Sequence, residues 1–103
     1  TKLQKIRAAE WDAPNAAGRA LEILEIVCEL SDEQAVRDAV AQSHSVVVSA
    51  AGPFRFFGPN VVKACAELGK AFTDISGEPE YIERMWNDYD HVAKENNALI
   101  CSA

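Results

Sequence analysis

Between residues 24 and 30 apolar and polar positions alternate: Leu24, Ile26, Cys28 and Leu30 are separated by Glu25, Val27 and Glu29. A period of two marks a strand with one wet face, near a sheet edge. The period then changes. Ala35, Val36, Ala39 and Val40 share one face of a helix that closes near Ser43. Ser31, with Gln34 three residues on, forms a capping-box pattern at its start. Val46-Val47-Val48 is β-branched and apolar on both faces, which suits a central parallel strand.

Helical spacing returns with Val61, Cys65 and Leu68, bracketed by Pro59 in the first turn and Gly69 as the stop. Residues 71–75 predict a third strand. After the turn Ser76-Gly77-Glu78, Pro79 opens a long amphipathic helix. Its stripe is Ile82, Met85, Trp86, Tyr89 and Ala93, all expected in the core, and it closes at Asn96-Asn97. Residues 98–102 predict a fourth strand. Upstream, Leu3, Ile6 and Ala9 or Glu10 give residues 1–11 a helical spacing, and Pro14, Asn15 and Gly18 make 12–19 a loop.

Four strands alternate with helices, and each connection is long enough for a crossover. The expected fold is α/β, a parallel sheet with helices on its faces. In such sheets the carboxyl ends of the strands carry the functional loops. Three stretches qualify: 29–32, 49–57 and 74–78. The middle one reads SAAGPFRFFGPN and sets three phenylalanines between two Gly-Pro pairs. So much aromatic surface in a stretch of breakers has to be covered by something.

Composition narrows the options. The 103 residues amount to one domain at most, and a net charge of −6 argues against a nucleic-acid partner, which needs a basic footprint. No stretch approaches the ~18 consecutive apolar residues of a membrane span, and TKLQKIRAAE has no apolar core of a signal peptide. Cys28, Cys65 and Cys101 fit no metal-ligand or CxxC spacing. They read as reduced, buried thiols of an intracellular, cytoplasmic-type compartment. The chain begins at Thr1 and stops directly after ALICSA. The expectation is a partial domain, residues 1–103, of a longer protein.

Several motifs in order then resemble one family. Gly52-Pro53-Phe54 after a valine-rich strand, Gly58, Val61-Val62-Lys63-Ala64-Cys65, and Asp74-Ile75-Ser76-Gly77-Glu78 resemble the saccharopine dehydrogenase-like oxidoreductases over roughly residues 20–103. The resemblance implies an N-terminal Rossmann domain that binds NAD or NADP, and hydride transfer between nicotinamide and a small substrate. The family's GxGxxG phosphate loop and ribose-binding acid would lie upstream of this chain. What remains would be the later part of the domain without its first two strands, inactive alone. In Rossmann order the strand at 24–30 is then an edge strand separated from residues 46–50 by the two missing strands. Exposed strand edges would drive self-association or a changed strand order. The competing reading is a non-catalytic α/β interaction module or family remnant.

The cofactor-binding candidates are Ala51, Gly52, Pro53, Phe54, Ser76, Gly77 and Glu78. Gly52 and Pro53 would bring backbone to the dinucleotide and Phe54 would flank the nicotinamide, with Phe56 and Phe57 packed inward or beneath the missing domain; the alternative is that the three rings form a hydrophobic cluster under the loop. Arg55 reads as a surface residue, or as a contact to substrate or phosphate. Asp74 and Glu78 read as negative charge at a helix start, or as proton carriers. Glu29 and Asp32 read as solvated caps, or as adenine contacts. Ser49 and Ser76 have no histidine at a nucleophile's spacing, and His44 and His91 read as surface or packing residues; no metal site and no catalytic residue is assigned.

Overall fold

The computed structural model describes residues 23–103 together with Lys2, Gln4 and Lys5. Those three N-terminal residues are helical. The rest of the helix expected over 1–11, and the loop expected over 12–19, lie outside the described residues.

The first helix within residues 23–103, α1 (Glu33–Ala41), starts one residue later than the capping pattern indicated. Asp32, not Ser31, is the N-cap: its carboxylate accepts the Ala35 N–H at 3.1 Å. Gln34 reaches forward instead, donating from Nε2 to Asp38 at 2.8 Å. An aspartate offers the orphaned first-turn amides a charged acceptor, so it displaces the neighbouring serine. The valine run follows as β1 (Val46–Ser49), then a one-turn helix α2 (Phe54–Phe57) where only a loop was expected. Next are α3 (Pro59–Leu68), β2 (Ala71–Asp74), α4 (Pro79–Glu95) and β3 (Leu99–Cys101). Pro59 and Pro79 both sit in the first turns of their helices, as their missing N–H allows. Gly69 ends α3 with φ 69, in the left-handed region that glycine enters without a Cβ penalty.

The strands lie in the order β1-β2-β3, all parallel. Val47, Phe72 and Ile100 stand side by side in that register and meet the helices. Val36 and Val40 of α1, Val61, Val62 and Cys65 of α3, and Tyr81 and Met85 of α4 complete a single core on that face, with α3 in the middle. The opposite face carries Val46, Ala71 and Leu99 in one row and Val48, Thr73 and Cys101 in the next. Val48 is 70% exposed and Leu99 68%.

Two expectations are corrected. Residues 23–29 form no strand, and Leu24, Ile26 and Val27 are exposed. Alternation prepares a strand, but a strand exists only where a neighbour completes its hydrogen bonds. Among the described residues none does, so the sheet has three strands rather than four. Trp86 is the other case: it is exposed, while Tyr81, absent from the expected stripe, is 1% exposed. The buried face of α4 runs through Tyr81, Met85 and Ala93, rotated from the one the spacing suggested.

Candidate functional site

Chain leaving the carboxyl ends of β1 and β2 forms two adjacent loops, and one side chain joins them. Glu78, the N-cap residue of α4, accepts the Phe54 N–H at Oε2 (2.8 Å) and the Arg55 N–H at Oε1 (3.2 Å). The first-turn amides of α2 have no partner within the helix, and Glu78 supplies one from the other loop. Glu78 thus stabilises a helix start, as one of its two readings held, but that of α2 rather than its own helix.

Asp74 does something different. It is 3% exposed and accepts four hydrogen bonds. Ser76 donates from N (3.1 Å) and Oγ (2.9 Å), Ala103 from N (3.1 Å), and Ser102 from Oγ (3.2 Å). Gly77 N–H adds a bond to the Ala103 carbonyl at 3.2 Å. The carboxylate therefore ties the end of β2 to the end of β3, and no helix start is involved. A buried charge with this many donors is satisfied where it stands.

The aromatic loop corrects the expectation at Phe54, which is buried rather than turned to the cleft. Phe54 is 5% exposed and sits against Tyr81, ring centroids 6.2 Å apart. Phe56 and Phe57 are exposed, at 65% and 39%. As α2 forms, Phe54 turns toward α4 while the two later rings project outward. Tyr81 approaches because Gly58 has no side chain: a β-carbon there would collide with the Tyr81 hydroxyl and lie 2.6 Å from its ring carbon Cζ. That hydroxyl is buried and has no hydrogen-bond partner among the described residues. Burial holds it well above the ordinary tyrosine range, and the nearby Asp74 and Glu78 charges push the same way.

Of the candidates, Ala51, Gly52 and Pro53 lie exposed on the loop, the Gly52–Pro53 peptide being cis. Ser76 and Glu78 are half-buried, Gly77 is exposed with φ 53, and open space surrounds it. The fold joins Phe54 to Glu78 and Ser76 to Asp74. It makes no side-chain link from Ala51, Gly52 or Pro53 to the second loop. Two residues went unremarked in the sequence: Tyr81, one position ahead of an apparent stripe, and Arg84, on a polar helix face. With Arg55, Glu78 and Glu80 they line a cleft of about 290 Å³. A larger cleft, about 510 Å³, lies apart from both loops, between α4 and β3.

Elsewhere in the described residues the three thiols are free, but only Cys65 is buried as expected; Cys28 is partly buried and Cys101, on the open face of the sheet, is exposed. Burial pushes the Cys65 thiol up to about 12. No group of three potential metal ligands occurs among the described residues. No helix among them is long and apolar enough to cross a membrane.

Residues 1–101 match the family model described as the saccharopine dehydrogenase NADP binding domain, a wider span than the motifs alone suggested. A probable mitochondrial saccharopine dehydrogenase-like oxidoreductase of Arabidopsis thaliana is 40% identical over 98 residues, covering 94% of this chain and 21% of the relative. A lipid droplet localized protein of Caenorhabditis elegans is 42% identical over 78 residues, 76% of this chain and 18% of the relative. A human saccharopine dehydrogenase-like oxidoreductase is 37% identical over 75 residues, 73% and 17% of the two chains. The chain spans about a fifth of the length of these relatives. No solved structure matches. With an α/β parallel sheet of the Rossmann type and a family match along nearly its whole length, the chain belongs to the saccharopine dehydrogenase NADP-binding-domain family.

Proposed function

We propose that the protein containing this chain is an NAD(P)-dependent oxidoreductase that moves a hydride between a nicotinamide and a small substrate. This chain supplies the later part of its dinucleotide domain and is inactive alone. The observation that carries the reading is the Glu78 bridge, which holds the two loops at the carboxyl end of the sheet together. In parallel sheets that end is where ligands bind. Ala51, Gly52 and Pro53, exposed on the first loop, and Ser76 and Gly77 on the second would offer backbone to the flat dinucleotide. Gly77 fits such an approach, since even an added β-carbon there would meet nothing within 4 Å. Phe54 contributes through its position at the base of the loop, since its ring is buried. The bound nicotinamide would supply the hydride chemistry. The compartment we infer is a reducing one, from free thiols at Cys28, Cys65 and Cys101.

The experiment is a substrate screen on the longer protein, with NADPH and NADH followed by nicotinamide absorbance. Turnover of one small-molecule class supports the reading. Absence of cofactor binding removes it.

A second reading, a non-catalytic interaction module, is favoured by one observation: the exposed valines of β1, whose only strand partner among the described residues is β2. Under either reading the isolated chain self-associates through that edge.

A further inference from the structure

We infer that Arg55 and Arg84 form an oxyanion subsite on the rim of the cleft beside the two loops, recognising a carboxylate or a phosphate. Both line the cleft of about 290 Å³. Arg55 is clamped along its backbone: its N–H donates to Glu78 at 3.2 Å, and its carbonyl accepts from Arg84 Nη2 at 3.0 Å. Its guanidinium carbon lies 4.8 Å from the centroid of the Phe56 ring, a cation–π contact that orients the side chain. Arg84 spends one donor on the Arg55 carbonyl and keeps the rest of its planar fork.

Among the described residues Arg55 and Arg84 share their lack of a carboxylate partner with Lys70, whose ammonium is instead taken up by the Ser43 carbonyl at 2.7 Å. In a chain of net charge −6, Arg37 pairs with Glu67, Lys63 with Glu33, and Lys94 with Asp90. Among the described residues no carboxylate lies within ion-pair distance of Arg55 or Arg84. Two acids do share the cleft. Glu78 is committed to the Phe54 and Arg55 amides, and Glu80 stands in the first turn of α4, where negative charge meets the helix N-terminus. Two unpaired forks on one rim match an oxygen anion, which guanidinium groups bind by paired, charge-assisted hydrogen bonds. Under the proposed function the anion is a phosphate of the dinucleotide or the acid group of the substrate.

Modification by phenylglyoxal, mapped by mass spectrometry on the longer protein, tests the subsite. Inorganic phosphate and acetate are expected to slow modification of Arg55 and Arg84 by about fivefold or more, while sodium chloride of equal ionic strength does not. Arg37, already paired, serves as the internal control. Arg84→Lys keeps the charge but loses the fork, and is expected to reduce the protection of Arg55. Equal rates with and without phosphate and acetate, or equal protection by chloride, overturn the proposal. NADPH then separates the sources. If it protects both arginines, the anion is the dinucleotide's; if it binds and leaves both open to acetate, the anion is the substrate's, and either result sustains the subsite. If the protein binds no NADPH at all, the oxidoreductase reading fails, and the phosphate and acetate rates still decide the subsite.

Discussion

A β-carbon at Gly58 would run into the Tyr81 hydroxyl and stand 2.7 Å from the Phe54 carbonyl oxygen. Gly58→Ala is therefore expected to cost about 1–3 kcal/mol in the longer protein, as overpacking does, read by urea unfolding. Tyr81→Phe alone is expected to be neutral or stabilising, because the hydroxyl it removes is buried with no partner among the described residues. In the double variant Tyr81→Phe is expected to recover part of the Gly58→Ala loss; simple additivity would contradict the contact. Phe54→Ala is expected to cost about 3–5 kcal/mol and Phe56→Ala little, the order their burial dictates. That order was not legible in FRFF, where three like residues stand in four positions. Which ring turns inward is decided by Tyr81, more than twenty residues away, and by the missing atom at Gly58. Cys65 gives a pH signature. Its thiol is raised from 9.0 to about 12, so above pH 9 the unfolded chain releases a proton that the folded one keeps. Stability then falls from about pH 9 toward 12 by about 1.4 kcal/mol per unit. Cys65→Ala is expected to lower stability at pH 7 yet flatten that slope, measured by chemical unfolding across the range.

At the scale of elements, punctuation was readable and partnership was not. Pro59, Gly69 and Pro79 announce helix ends through their own backbone chemistry, and the structure has them there. The residues at 24–30 carry a strand's alternation but join no sheet among the described residues, and sequence periodicity says nothing about neighbours. The two carboxylates belong to this scale as well, because each works by joining elements. Glu78→Ala is expected to speed hydrogen exchange at the Phe54 and Arg55 amides while Val61 and Val62, bonded to the Gly58 carbonyl, keep their protection. Unchanged exchange at Phe54 and Arg55 would contradict the bridge. Asp74→Ala leaves four donors without their acceptor and is expected to cost about 1–3 kcal/mol, with fraying at residues 102–103 detected by the same exchange measurement.

For the whole molecule, the family was legible because two motifs at the ends of successive strands kept their distance from each other. The packing of that end was not, since the bridge from Glu78 and the tether from Arg84 to the Arg55 carbonyl depend on chain brought together only by folding. The sheet covers one face with helices and leaves Val46, Val48 and Leu99 open on the other. Val48→Lys is expected to reduce association of the isolated chain, followed by sedimentation velocity, because charge on an exposed strand deters edge pairing. The central claim is that the dinucleotide site needs this chain and the remainder of the protein together. Calorimetric titration of NADPH into the longer protein and, side by side, into the 103-residue chain tests it most directly. The account predicts saturable binding by the longer protein and none by the chain alone; submillimolar binding by the isolated chain, or none by the longer protein, would contradict it.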